Sequence, residues 1–202
     1  MIQIHDLDEI ERIRESAQIV GKCLLMLARE MRAGVSTLAL DRLADKFIRD
    51  EGGEPAFKGY RGVPASICAS INEEVVHGIP SAKRILREGD IISLDIGVRR
   101  NGFYGDAART YPVGEVAPLA VKLMEATQRA LEMGIEQARP GNRVSDISAA
   151  NRFLAATFIP LFNAKFSVAP RSDANMHRPL LAHERKQLPG IFSNHTNRTV
   201  LN

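Results

Sequence analysis

The feature that most constrains this chain is the segment from Gly89 to Thr110, GDIISLDIGVRRNGFYGDAART. Two stretches rich in Ile, Leu, Val, Phe and Tyr flank Arg99-Arg100-Asn101-Gly102, and Asn-Gly is a strong hairpin turn. The hairpin carries Asp95 and Asp106 in strands whose other residues read as buried. With an even loop, centred on Arg100-Asn101 or on Asn101-Gly102, the two-residue period of a strand puts both carboxylates on one face, directly or diagonally opposed. A three-residue loop would send them to opposite faces. In the even registers their Cβ atoms lie about 4.5–8 Å apart, near enough to hold one hard cation or a pair of cations. Ionised carboxylates are costly to bury unpaired, so a cationic partner is expected. Aspartate also commonly caps a turn or lies on a solvated face. Ile91, Ile92, Leu94, Ile96 and Val98 leave little polar face around Asp95.

The rest of the chain reads as helices around this hairpin. Ile10, Ile13, Ala17, Val20, Leu24 and Leu27 recur at helical spacing from Asp8 to about Arg32, with Asp6 or Asp8 as cap. A second helix opens at Ser36 or Thr37, with Leu40, Leu43, Ala44, Phe47 and Ile48 on one stripe, and stops at Gly52-Gly53. SICASI reads as a short strand and NEEVVHGIPSA as a loop bearing His77. A third helix runs from Glu115 to about Ala138, its stripe made of Ala120, Leu123, Met124, Thr127, Leu131 and Ile135. A fourth starts at Ser145 and extends to Phe158.

Composition excludes several classes. No run is long enough to span a membrane, and the opening MIQIHDLDEIERIRE is too charged for a secretory signal. Cys23 and Cys68 have no metal-type spacing, so the cytoplasm is the expected compartment. Residues 151–202 hold 7 Lys/Arg against 2 Asp/Glu, six of nine Asn and one of fifteen Gly, a clear break from the rest. The positive charges there are scattered rather than blocked, which argues against a nucleic-acid arm.

CASINEEVVHGIP followed by LREGDIISLDIGVRRNGFYGDAARTYPVG resembles the type I methionine aminopeptidases of bacterial kind, continuously from about Ile4 to about Ala150 and including KGYRGVPASIC and ARPGNRVSDIS. The resemblance implies an α+β fold: the N-terminal half of the pita-bread architecture, an antiparallel sheet with covering helices. It implies that Asp95 and Asp106 are two of five ligands to two divalent metal ions (Co, Mn, Fe or Zn), with Asp106 bridging. It further implies that His77 contacts the substrate or its tetrahedral intermediate, and that Phe57, Tyr60 and Cys68 line the pocket for a methionine side chain. On spacing alone, His77 reads first as a structural loop histidine, and Phe57, Tyr60 and Cys68 read as core residues; the motif is what raises the functional reading.

The remaining ligands of the family, a His and two Glu, have no matching motif after Ala150. His177 and His183 are six residues apart with Pro179 between them, and His195 lies in a polar stretch, so none of these, nor Glu184, is expected to replace them. The expectation is two regions, 1–150 as the family's N-terminal part and 151–202 as a divergent basic tail, attributed to a lost reading frame or a fusion. Weak or partial metal occupancy follows, with activity in doubt. The expected partners are peptides beginning with Met, with the ribosome as a further partner; nucleic acid and membrane are not expected. The alternative is a non-catalytic peptide- or ribosome-binding remnant of the same fold.

Overall fold

The first helix begins where a capping box places it: the Asp6 carboxylate accepts from the backbone N–H of Glu9 at 2.8 Å, and the Glu9 carboxylate accepts from that of Asp6 at 3.1 Å. The computed structural model describes residues 4–147 together with residue 160. Helix α1 spans Leu7–Glu30 and α2 spans Thr37–Asp50, the latter capped by the Ser36 hydroxyl, which accepts from Ala39 N at 3.1 Å. Three strands follow: β1 (Glu54–Pro55), β2 (Ile67–Ile71) and β3 (Ile91–Arg100). They are succeeded by β4 (Phe103–Pro112), α3 (Pro118–Gln137) and α4 (Val144–Ile147). The chain divides between Val121 and Lys122 into two compact units. All four strands belong to the first.

Strand β3 is the axis of the sheet, and all its pairings are antiparallel. β4 pairs with it along its whole length, so β1 and β2 share the other edge end to end. Asn101 and Gly102 make the turn, with φ of 52° and 85°, the double left-handed conformation of a type I′ hairpin. The register Arg100↔Phe103 therefore selects the loop centred on Asn101-Gly102.

The even-numbered residues of β3 face the helices. Ile92, Leu94, Ile96 and Val98 join Ile19, Val20, Cys23, Leu24 and Leu27 of α1 and Leu40, Ala44 and Ile48 of α2 in one core. Burial pushes the Cys23 thiol up to about 12, so it behaves as a small apolar group. No described helix is long and apolar enough to cross a membrane.

Some helix faces differ from the sequence expectation. In α2, Asp41 is buried while Leu43 is 39% exposed. In α3 the buried stripe is Ala120, Leu123, Ala126 and Ala130, whereas Leu131 and Ile135 are exposed. Small residues at three- and four-residue steps define that inward face, and the larger apolar side chains drew attention to its neighbour. The fourth helix is described over Val144–Ile147; its expected continuation to Phe158, like His177, His183, Glu184 and His195, lies outside the described residues.

Candidate functional site

The odd-numbered residues of β3 point away from the helices, and the sheet's chemistry lies on that face. Asp95 pairs with Cys68 of β2 on one side and with Ala108 of β4 on the other. Asp106 pairs with Gly97. The two aspartates are thus diagonal neighbours across the β3–β4 ladder, on one face. Their carboxyl groups come close enough for one, when protonated, to hydrogen-bond the other. Two positions further along, the hydroxyls of Ser93 and Thr110 meet at 2.7 Å on the same face.

Burial raises the Asp95 acid above the ordinary carboxylate range, the charge and hydrogen bond of Asp106 raise it further, and His77 pulls it partly back. Such a pair resists carrying two negative charges unless a cation joins it. The Cys68 thiol is raised as well, first by its own burial and then by Asp95 and Asp106. A thiol raised in this way is a poor nucleophile.

Asp106 itself is exposed, which corrects the reading of both strands as buried. Much of β4 lies on one edge of the described sheet, and Asp106, Ala107, Ala108 and Arg109 are all exposed. Alternation in β3 also separates Asp95 from its apolar neighbours: Leu94 and Ile96 face the helices, and the companions of Asp95 on its own face are Ser93 and Gly97.

Phe57 closes over this face. A Cβ placed on Gly97 would lie 2.5 Å from Phe57 Cε1, so the ring occupies the space a side chain at Gly97 would take. The amide of Ala56 donates to the Gly97 carbonyl at 2.9 Å and holds the ring's backbone to β3. Tyr60, on a single 3-10 turn, is 61% exposed, and Arg61 lies over its ring at 5.4 Å.

His77 stands in a loop after β2 with φ of 61°, a conformation unusual for a residue with a side chain. The next residue anchors it. Gly78 accepts from Ala69 N at 2.8 Å and donates to the Ser70 hydroxyl at 3.1 Å, so the loop is pinned to β2. Arg84 ties its other end, donating to the Ile79 carbonyl at 2.8 Å and pairing with Glu74. The imidazole is exposed, yet near enough to Asp95 to affect that acid.

Among the described residues no group of three or more His, Cys, Asp or Glu side chains converges as a metal cage. The two aspartates nevertheless fit a divalent cation: hard oxygen donors on one face, mutually repelling, with Asp95 half-buried. Sequence reasoning missed Gly97, and with it the contact that fixes Phe57. A glycine between Ile96 and Val98 in the interior of a strand is the signal that would have found it.

The antiparallel sheet and its covering helices are those of the pita-bread fold, and the crystal structure of methionine aminopeptidase from Rickettsia prowazekii superposes with a TM-score of 0.75. That match has 36% identity over 77% of this chain and 63% of the other. Residues 11–174 match Metallopeptidase family M24, and the chain belongs to that family. It is 53% identical over 148 residues to the methionine aminopeptidase of Clostridium acetobutylicum, covering 73% of this chain and 59% of that protein. It is 47% identical over 142 residues to methionine aminopeptidase 1 of Bacillus subtilis, covering 70% and 57% respectively. The chain therefore spans a little under three fifths of the length of these curated relatives.

Proposed function

We propose that the chain serves in the metal-dependent removal of N-terminal methionine from peptides, in the cytoplasm. The observation that carries this reading is the diagonal Asp95–Asp106 pair on the open face of the sheet, with Cys68, Phe57 and His77 around it. Asp95 and Asp106 would hold the cation, and Mn, Fe, Co and Zn all suit such donors. When bound, divalent ions supply Lewis-acid polarisation of the scissile carbonyl and a more acidic attacking water.

The chain's own residues supply the rest. Phe57 and Cys68 offer an apolar, polarisable wall to a thioether side chain, with Tyr60 at its exposed rim. His77, held on a loop pinned at Gly78, can donate a hydrogen bond to oxygen charge developing beside the aspartates. Water would complete the coordination of an ion held by so few protein donors. We assign 1–150 to the N-terminal part of a methionine aminopeptidase-like domain and treat 151–202 as a divergent basic tail.

Release of free methionine from Met-Ala-Ser by the purified chain, with added Mn or Co, tests the reading. No turnover at any metal concentration would confine the family resemblance to fold. The alternative reading is a non-catalytic module that binds peptides or the ribosome. It predicts partner binding that survives a chelator.

A further inference from the structure

Helix α2 presents two carboxylates, Asp41 and Asp45, four residues apart and therefore on one face. Both are turned toward the loop that carries the proposed methionine pocket. Asp41, 7% exposed, accepts from the backbone N–H of Ser66 at 2.7 Å and of Ile67 at 3.1 Å. Those amides begin the strand that presents Cys68 beside Asp95.

Asp45 reaches further. One of its oxygens, Oδ2, accepts from Lys58 Nζ at 2.6 Å and from Ser66 Oγ at 2.6 Å. The other, Oδ1, accepts from Arg49 Nε at 2.6 Å. Lys58 and Ser66 are the two ends of one loop, and a single carboxylate oxygen holds both. Between them the chain is closed on itself: Tyr60 N donates to Phe57 O at 3.0 Å, Gly59 N to Val63 O at 2.8 Å and Val63 N to Tyr60 O at 3.0 Å. Such a self-bonded loop moves as a body about its ends, and here the ends are fixed to α2. Phe57 lies just before the clamp and Cys68 two residues after it.

We propose that Asp45 is a positioning residue for side-chain selection: by clamping Lys58 to Ser66 it sets the distance of the Phe57–Tyr60 wall from Cys68 and the aspartate pair. The proposal rests on the methionine-pocket reading of those residues. Asp45 touches neither metal nor substrate. Its neutralisation loosens the wall and widens the range of first residues accepted, while the aspartate pair is left as it was. Charge-assisted bonds are the strong kind, and three of them meet on this carboxylate.

The test uses the full chain, with Asp45→Asn, Lys58→Ala and, as a control on the same helix, Asp50→Asn, whose one side-chain partner among the described residues is Lys46. Calorimetry with Mn measures metal binding, and titration with Met-Ala-Ser and Ala-Ala-Ser in its presence measures discrimination. The expected result is unchanged Mn affinity in every variant, with discrimination falling about tenfold in Asp45→Asn and Lys58→Ala and unchanged in Asp50→Asn. Unaltered discrimination in Asp45→Asn, or an equal fall in Asp50→Asn, would overturn the proposal. A wild-type chain that binds Mn but does not discriminate overturns it too, leaving the metal reading intact. Discrimination without Mn binding, lost in Asp45→Asn, would instead sink the metal reading and keep the clamp.

Discussion

Gly97 lies directly across the ladder from Asp106, and the Phe57 ring fills the space above it. One backbone position thus lies beside the proposed metal face and beneath the proposed pocket wall. Replacing Gly97 by Ala puts a methyl group into a ring that cannot stay where it is. Overpacking of this kind costs about 1–3 kcal/mol. In a double-mutant cycle with Phe57→Ala, most of that cost should vanish, since the smaller residue removes the clash. Denaturant unfolding of the four proteins checks it, and strictly additive losses would mean that the ring is not seated over Gly97.

His77 offers a separation of fold from function. Its positive φ costs a residue with a side chain about 1–3 kcal/mol, and glycine relieves that while adding disorder to the unfolded chain. His77→Gly should leave the thermal midpoint unchanged or slightly higher. Methionine release from Met-Ala-Ser should fall by about 10²–10⁴-fold, the usual worth of a positioned proton donor. A clear drop in stability would show instead that the imidazole itself holds the loop.

Acid sensitivity should trace to Asp45. Burial alone would raise its acid, but hydrogen bonds from Arg49, Lys58 and Ser66 outweigh this and hold it well below the ordinary range. The unfolded chain takes up that proton at about 3.9, before the folded chain does. The stabilisation from Asp45 is therefore full above that pH and is lost as pH falls toward the lower folded value. In chemical unfolding across the acid range, the gap between wild type and Asp45→Asn should narrow steadily below about pH 4. A gap independent of pH would mean that the ion pairs contribute nothing.

Much of this frame could be read from the chain because its signals are local. Asp6 and Ser36 cap their helices, and Asn101-Gly102 fixes the hairpin register and so the shared face of Asp95 and Asp106. The illegible parts depend on partners distant in sequence. Phe57 meets Gly97 forty residues later, and the exposure of Asp106 reflects the edge position of β4 rather than its own neighbours. Asp41 and Asp45 sit on a helix whose stripe reads as Leu, Ala, Phe and Ile. Nothing within that helix announces that Ser66, Ile67 and Lys58 will need two carboxylates.

In the proposed site Asp95 and Asp106 hold a divalent cation jointly. Calorimetric titration of the full chain with Mn, beside Asp95→Asn and Asp106→Asn, tests it most directly. The wild-type chain should bind Mn saturably, and each variant should lose about tenfold or more, roughly 1.4 kcal/mol apiece. Equal binding by all three proteins would contradict it.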